Sequence, residues 1–192
     1  PLYHIYSFTI HCTSAVELGN HSLLIPNPRD IPGFVKTLQR TPFTFFVGLN
    51  TLFNALMRNP DFARLDFSNL RLTCSGGMAL TAETARHWME VTKAPISEGY
   101  GLTETSPVVS NNPLENVQQG TVGLPLIDTE TKVIDDNNNS LPTGEAGELC
   151  VRGPQVMKGY WQRPDATAEV IDSDGWFKTG DIAIIQPDGF IK

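Results

Sequence analysis

Near the middle of the chain lies the segment Ser97-Glu98-Gly99-Tyr100-Gly101-Leu102-Thr103-Glu104-Thr105-Ser106-Pro107. Glycines on both sides of Tyr100 allow a positive φ and a close approach of the backbone, so we expect a sharp turn over a ligand. An aromatic ring beside a hydroxyl and a carboxylate suits a nucleotide, with Tyr100 against a purine, Thr103 on a phosphate oxygen and Glu104 on a Mg²⁺ that bridges phosphates. The alternative is a polar loop whose Thr and Glu cap a following turn.

A second glycine-rich turn precedes this segment. Leu70–Cys74 has the pattern of a strand, and a predicted helix runs from Thr81 to about Lys93 with Trp88 on its inner face. Between them lies Ser75-Gly76-Gly77-Met78, at the carboxyl end of a strand, where open α/β sheets bind ligands. Two residues without side chains let a flat base or an acyl chain contact the backbone, although a strand-to-helix turn alone would also explain them.

Strand-like and helix-like patterns alternate along the first 112 residues. Asp30 is expected to cap a helix that opens at Arg29-Asp30-Ile31-Pro32 and runs through Arg40. The alternation predicts an α/β fold, with a mixed, largely parallel sheet and flanking helices. The other predicted elements are an apolar helix to Leu18, a short β-rich run at Ser22–Pro26, a buried strand at Thr44–Gly48 and a helix at Asn50–Asn59.

The pattern changes after about Asn112, where short strands and turns replace the alternation. We therefore predict two units, an α/β subdomain at 1–112 that carries part of a ligand pocket and a β-rich subdomain at 113–192. The predicted elements of the second unit are strands at Thr121–Leu126, Thr129–Asp135, Gly147–Arg152, Trp176–Gln186 and Phe190–Lys192, a polar turn at Asp136–Ser140 and a helix at Pro164–Ile171.

Composition limits the partners of the chain. Its 192 residues carry a net charge of −7 and have a pI near 5.0, which argues against nucleic acid, because binding to a phosphate backbone needs clustered Lys and Arg. Cys12, Cys74 and Cys150 fit no metal or redox spacing, so we expect reduced, semi-buried thiols and a cytoplasmic location. No apolar run is long enough for a membrane span. Peripheral contact with the inner membrane is compatible with this pattern.

Four segments, in the expected order, resemble the motifs of the acyl-adenylate-forming (AMP-binding) enzymes, the superfamily of acyl-CoA synthetases, peptide-synthetase adenylation domains and luciferases. The resemblance covers essentially the whole chain. The residues of the four motifs are most similar to those of bacterial long-chain fatty acid–CoA ligases. It implies that the chain is part of a large N-terminal domain followed by a β-rich subdomain. The segments are Pro1–His4, Tyr100–Glu104, Gly147-Glu148-Leu149 through Gly159-Tyr160-Trp161, and Gly175–Asp181.

The resemblance also implies a role for each site residue. Tyr100 is expected to stack on adenine, Thr103 to hold phosphate and Glu104 to bind Mg²⁺, the last two being catalytic residues. Gly76 and Gly77 are expected to line the other face of adenine. The resemblance also places Met78 and Gly101 in the nucleotide site. Gly101 has a second implied role, because it and Gly76 are expected to lie beside the acyl group.

Three more candidates lie outside these turns. The resemblance implies that His4 is a third catalytic residue, which borders the substrate carboxylate and the adenylate, while the alternative is a satisfied histidine at a helix start. Phe8 falls where acyl-CoA synthetases place the mouth of the fatty-acid tunnel, and a plain core aromatic is the alternative. Asp181 follows Thr179-Gly180, where a carboxylate can accept from both ribose hydroxyls, or else cap a turn.

The implied activity is ATP-dependent conversion of a long-chain fatty acid to an acyl-adenylate and then to acyl-CoA, with ATP, Mg²⁺ and coenzyme A. The alternatives are adenylation of another acid, as in aryl-CoA ligases or peptide-synthetase modules, and a nucleotide-binding module without turnover. In the superfamily a phosphate loop would precede Pro1 and a lysine-bearing domain would follow Lys192. We therefore expect an inactive internal fragment whose exposed strand edge leads to self-association.

Overall fold

The computed structural model describes residues Pro1–Lys192 and contains two β-sheets. In the five-stranded sheet, with order β1-β2-β3-β4-β5, the first three strands are parallel and the last two are antiparallel to their neighbours. The three-stranded sheet, with order β6-β7-β8, is antiparallel. The strands are β1 Phe45–Gly48, β2 Leu72–Ser75, β3 Ile96–Gly101, β4 Val108–Asn111, β5 Leu124–Pro125, β6 Glu130–Ile134, β7 Ala146–Arg152 and β8 Phe177–Ile184.

Two helices connect the parallel strands, α4 (Asn50–Met57) between β1 and β2 and α5 (Ala82–Thr92) between β2 and β3, while α3 (Ile31–Arg40) precedes β1. Asp30 caps α3 by accepting a hydrogen bond from the Gly33 amide at 3.0 Å, as expected. Thr81 caps α5 in the same way, accepting from the Thr84 amide at 3.2 Å. The helices are α1 Ile5–Ser7, a π-helical stretch Phe8–Ser14, α2 Ala15–Glu17, α3 Ile31–Arg40, α4 Asn50–Met57, α5 Ala82–Thr92 and α6 Pro164–Val170.

An aromatic core packs between the parallel strands and α3 to α5. Trp88 of α5 is fully buried, and its ring centroid lies 4.8 Å from that of Phe53 and 5.5 Å from that of Phe46. The indole N–H donates to the Thr73 hydroxyl on β2 at 3.2 Å, so the buried polar atom of the ring has a partner. This core holds β2 and β3 in register and thereby places the ends of these strands side by side.

A second core joins the two sheets. Val109 of β4 packs with the buried residues Val133, Leu149, Val151, Ala183 and Ile191 around the three-stranded sheet. The N–H of Val122 donates to the carbonyl of Ile191 at 2.8 Å, and Gly123 and Ile191 form an isolated bridge. The two sheets therefore share buried apolar surface, which ties the end of β3 to β8.

The α/β fold class is confirmed, with three local corrections. Ser22–Pro26 is not a strand, because its residues pair with no neighbouring strand. Phe190–Lys192 contributes only isolated bridges through Ile191. The strand predicted at Thr121–Leu126 is reduced to Leu124–Pro125, which pairs with β4, so the first sheet draws residues from both predicted units. The division at residue 112 stays a prediction.

The three cysteines are free thiols, as predicted. Cys150 is buried, while Cys12 and Cys74 are half-buried. Burial raises the pKa of the Cys74 thiol to about 12, so this thiol stays protonated at neutral pH. None of the helices combines the length and the apolar character that a membrane crossing would need.

Candidate active site

The glycines around Tyr100 act differently from the prediction. Tyr100 lies inside β3, and neither Gly99 nor Gly101 has a positive φ, so the expected sharp turn at this position is wrong. A Cβ on Gly101 would overlap the backbone carbonyl of Pro107, and one on Gly99 would lie 2.7 Å from Oδ1 of Asn111. The glycines are needed because β4 approaches β3 closely, and the register shift between Tyr100 and Gly101 bends the strand there.

The chain turns one step later, in the 3₁₀ turn Thr103–Thr105. Ser106 adopts a left-handed conformation with φ of 58°. The buried Thr105 hydroxyl accepts from the Leu102 amide at 3.0 Å and contacts the Pro107 carbonyl at 2.5 Å. This internal bonding holds the backbone of Thr103 and Glu104, and it leaves Thr103 exposed and Glu104 half-buried.

Glu104 contacts a loop of the second half of the chain. The hydroxyl of Tyr160 donates to Oε1 of Glu104 at 2.9 Å, and the amide of Met157 donates to the Glu104 carbonyl at 2.8 Å. The hydrogen bond to Glu104 raises the pKa of the Tyr160 phenol. Oε2 of Glu104 receives no hydrogen bond from the protein, so one carboxylate oxygen remains available to a ligand.

Tyr100 and Asp181 meet across the two sheets. The Tyr100 hydroxyl donates to Oδ2 of Asp181 at 2.5 Å, although the two residues are 81 positions apart in the sequence. Burial, followed by this hydrogen bond, raises the pKa of the Tyr100 phenol. Asp181 lies on the exposed part of β8, where its amide donates to the Thr179 hydroxyl at 3.1 Å. The aromatic ring and the carboxylate predicted to contact the nucleotide thus border one site.

The Gly76-Gly77-Met78 turn follows β2, as predicted. Gly77 has a φ of 79°, and Met78 is exposed. The sequence analysis assigned no role to Glu98, yet its buried carboxylate on β3 accepts from the Leu80 amide at 2.9 Å and so anchors the far end of this turn. Burial raises the pKa of Glu98, and the Leu80 bond opposes that rise. The signal that could have identified Glu98 was a carboxylate two residues after the apolar Ile96, because a buried carboxylate needs a hydrogen-bond partner.

The N-terminal candidates lie at the surface. His4 caps α1 by accepting from the Tyr6 amide at 3.2 Å, which matches the alternative of a histidine at a helix start, and Phe8 is exposed. Tyr6, which the sequence analysis missed, lies against Gly76: a Cβ on Gly76 would come within 2.9 Å of its ring. Nothing in the pattern distinguished Tyr6 from other apolar helix residues. The roles of His4 and Phe8 stay predictions.

A magnesium site would rest on Glu104. The structure contains no group of three or more His, Cys, Asp or Glu side chains placed to hold a metal ion. A single carboxylate nevertheless fits Mg²⁺, because this ion usually keeps several waters and is bound through one or two carboxylates together with phosphate oxygens of the substrate. The half-buried carboxylate with one free oxygen meets that requirement.

A groove of about 680 Å³ lies beside Asp181. Its lining includes Gly180 and Ile182, the two neighbours of Asp181. The lining contains neither Tyr100 nor Asp181, nor any residue of the Thr103–Thr105 turn. We therefore place the candidate nucleotide site at Tyr100, Asp181 and the Thr103–Thr105 turn.

Comparison with known proteins identifies relatives over the whole chain. The long-chain-fatty-acid–CoA ligase of Salmonella typhimurium is 54% identical over all of this chain, and that of Escherichia coli O6:H1 is 53% identical. Both matches cover 34% of the relative, so the chain spans about a third of the length of the curated relatives it matches. A crystal structure of the anthranilate CoA ligase AuaEII in complex with anthranoyl-AMP superimposes with a TM-score of 0.92 at 27% identity, covering 99% of this chain and 37% of that one.

The same comparison assigns most of the chain to one family. Residues 1–161 match the family described as AMP-binding enzyme. This matched range contains three of the four segments that resembled the motifs of the family. The candidate site reaches beyond this range, because Asp181 lies on β8 and pairs with Tyr100 inside it. The extent of the match and the relatives lead to one conclusion: the chain belongs to the AMP-binding enzyme family.

Proposed function

We propose that the chain is the central part of an ATP-dependent acyl-CoA ligase whose substrate is a long-chain fatty acid. The observation that carries this proposal is the meeting of Tyr100 and Asp181 at 2.5 Å, which joins a ring and a carboxylate at the border of both sheets. The relatives at 53–54% identity are long-chain-fatty-acid–CoA ligases, which supports the choice of a fatty acid. The anthranoyl-AMP in the similar crystal structure supports an adenylate intermediate.

Tyr100 and Asp181 act on the nucleoside. The ring of Tyr100 stacks on the adenine base, while its hydroxyl orients Asp181 by donating to Oδ2. Asp181 keeps Oδ1 and the remaining lone pairs for the ribose hydroxyls, because an ionised carboxylate offers about four acceptor sites. The buried Gly76 and the exposed Gly77 and Met78, in the turn after β2, border the base from the other side, with Glu98 fixing the turn.

Thr103 and Glu104 act on the phosphates. The exposed Thr103 hydroxyl donates to a phosphate oxygen, and Glu104 uses its free Oε2 for Mg²⁺. When bound, this ion neutralises phosphate charge and stabilises the leaving pyrophosphate. The substrate carboxylate attacks the α-phosphorus and pyrophosphate leaves, a step in which the protein contributes position and charge rather than covalent chemistry.

The acyl group and coenzyme A complete the reaction. We propose that Gly101 and Gly76 border the acyl group, that His4 lies near its carboxylate and that Phe8, exposed on the π-helical stretch, stands at the entrance of the tunnel. The thiol of coenzyme A attacks the carbonyl carbon of the acyl-adenylate, forms the thioester and releases AMP.

Two further proposals concern location and assembly. A long-chain fatty acid partitions into bilayers, so we propose a cytoplasmic protein in peripheral contact with the inner membrane. The exposed apolar residues Tyr3, Val16 and Leu18 near the proposed tunnel entrance support such a contact. Self-association of the isolated chain is the second proposal, supported by the edge position of β1 in the five-stranded sheet.

The test is a chimera in which this chain replaces the matching third of the Salmonella typhimurium ligase. Pyrophosphate release is measured with saturated fatty acids of graded length, with anthranilate and ferulate, and with no acid, and the unmodified ligase is the control. We expect release with long-chain acids within about tenfold of the control, because half of the residues are identical. Release only with the aromatic acids would replace the fatty-acid proposal by an aryl-CoA ligase. ATP binding by a folded chimera without release from any acid would leave only a nucleotide-binding module.

A further inference from the structure

A loop of the second half of the chain closes over the Thr103–Thr105 turn. This loop, residues 153–161 and here called the bridging loop, leaves the end of β7 and leads towards α6. The amide of Met157 donates to the Glu104 carbonyl at 2.8 Å, and Nε2 of Gln155 donates to the Val108 carbonyl on β4 at 3.2 Å. Its far end is fixed as well, because the amide of Tyr160 donates to the Thr167 hydroxyl on α6 at 2.9 Å.

The backbone of Glu104 is thus held from two sides. Thr105 secures the turn from within, and Met157 secures it from the bridging loop. What remains free is the side chain, since a glutamate has three rotatable bonds between its backbone and its carboxylate. A cation held through a single protein carboxylate depends on where that carboxylate points.

One contact restricts this freedom. The Tyr160 hydroxyl donates to Oε1 of Glu104 at 2.9 Å and leaves Oε2 free. Tyr160 approaches from a loop that is anchored at Gln155, Met157 and Thr167, so its position does not depend on Glu104 alone.

We infer that Tyr160 is a positioning residue, whose hydroxyl fixes the Glu104 carboxylate in the orientation that binds a divalent cation beside the ATP phosphates. The inference rests on the proposed function, which assigns the cation to Glu104. The bridging loop follows β7 of the second sheet. Through Tyr160, which does not contact the metal itself, this loop takes part in the metal site.

The first test measures metal binding without turnover. Mn²⁺ replaces Mg²⁺, and its binding to the chimera with a non-hydrolysable ATP analogue is followed by electron paramagnetic resonance. Tyr160→Phe keeps the ring and removes only the hydroxyl, and we expect it to weaken Mn²⁺ binding about tenfold, the size of one charge-assisted hydrogen bond. Trp161→Ala is the matched control: Trp161 is the exposed neighbour in the same loop, and its removal leaves Mn²⁺ binding unchanged.

The second test separates positioning from a general structural role. The Mg²⁺ concentration that gives half the maximal rate of pyrophosphate release rises about tenfold in Tyr160→Phe, while the rate at saturating Mg²⁺ stays within about twofold of the parent. In the Glu104→Gln background, Tyr160→Phe has no further effect on Mn²⁺ binding, because the two residues act as one unit.

The outcomes separate the inference from the proposed function. If Glu104→Gln leaves Mn²⁺ binding unchanged, the metal assignment itself is wrong and the inference fails with it. If Glu104→Gln weakens binding and Tyr160→Phe does not, the inference alone is overturned. Tighter Mn²⁺ binding in Tyr160→Phe overturns it too, since the hydroxyl would then compete with the cation for the carboxylate.

Discussion

At the scale of single residues, the candidate site depends on two hydrogen bonds between side chains that lie far apart in the sequence. Tyr100 donates to Asp181, and Tyr160 donates to Glu104. In both pairs a phenol orients a carboxylate and leaves at least one of its oxygens free. The two carboxylates have different tasks in the proposed reaction, so substitutions at each should affect different ligands.

Glu104→Gln tests the proposed metal role. The amide keeps an oxygen that can accept from Tyr160, so we expect the fold and its melting temperature to be unchanged. It removes the charge that a hard cation prefers, and adenylation by the chimera should fall on the order of a hundredfold. The measurement is ATP–pyrophosphate exchange at saturating Mg²⁺; turnover within about threefold of the parent would contradict the metal role.

Asp181→Ala tests the proposed ribose contact. Loss of a charged acceptor should weaken ATP binding to the chimera by roughly 1.5–3 kcal/mol, measured by calorimetry. An analogue without the two ribose hydroxyls should lose much less. Tyr100→Phe removes only the hydroxyl that orients Asp181 and keeps the ring and the carboxylate, so a smaller loss in the same direction is expected. Equal losses for both nucleotides would instead indicate that Asp181 serves a structural turn.

At the scale of elements, the turn after β2 and the pairing of β3 with β4 determine where the site residues lie. Both depend on residues that contact no proposed ligand. Glu98 anchors the turn through the Leu80 amide, and Gly101 lets the Pro107 carbonyl approach β3. These two positions are therefore the points at which local changes should disturb the shape of the site.

Glu98→Gln tests the buried anchor through the pH dependence of folding. Because burial raises the pKa of Glu98 above its value in the unfolded chain, the folded state keeps the proton to higher pH. The free energy of unfolding should therefore fall as pH rises from the ordinary range of Glu through the raised pKa. Gln keeps an acceptor for Leu80 and cannot ionise, so the variant should lose this fall and gain stability relative to the parent.

The measurement is urea unfolding of the 192-residue chain at about pH 4, near the ordinary pKa of Glu, and at about pH 7, above it. Glu145→Gln, at an exposed position, is the control and should shift the two values little. A stability difference between Glu98→Gln and the parent that is the same at both pH values would contradict the assignment.

Gly101→Ala tests the close approach of β4. The added methyl group would overlap backbone atoms of Pro107 that cannot move independently of the strand, so we expect a loss of at least about 3 kcal/mol in unfolding free energy. Gly99→Ala is the matched control, since its methyl group would meet the Asn111 side chain at 2.7 Å and the Ser110 carbonyl at 3.0 Å, both milder contacts than the backbone overlap at Gly101. Chemical denaturation should show the larger loss at Gly101; equal losses would mean that the backbone contact is not the cause.

At the scale of the whole molecule, the two sheets are coupled by one apolar core and by the bridging loop. Val109 of the first sheet packs with Leu149 and Val151 of the second. The hydrogen bonds from Tyr100 to Asp181 and from Tyr160 to Glu104 add polar links between the same two parts of the chain.

The edge of the first sheet leads to a prediction for the isolated chain. β1 pairs with β2 on one side only, and Phe45 on this strand is exposed. An unpaired edge with an exposed aromatic residue tends to pair with another copy, so we expect self-association in light scattering. Phe45→Lys places a charge on the edge and should lower the apparent mass. A parent chain that is monomeric at every concentration would contradict this prediction.

The amino-acid sequence by itself determined the fold class, most element positions and the family. Asp30 and Thr81 carry cap signals within a few residues of the helices they start, and the spacing around Trp88 identified a buried helix face. Such signals are local, because capping and amphipathic periodicity act over one or two helical turns. The glycines of the central segment were recognised as necessary, but their reason was misjudged.

Only the tertiary structure decided what those glycines meet and which side chains share the site. Gly101 is constrained by Pro107 of the neighbouring strand, and Tyr100 and Tyr160 find their carboxylates on elements more than fifty residues away. The physical reason is that strand pairing and core packing bring these groups together, and no short-range pattern records the partner. Tyr160 and Glu98 therefore became visible as site residues once the two sheets had been placed on their common core.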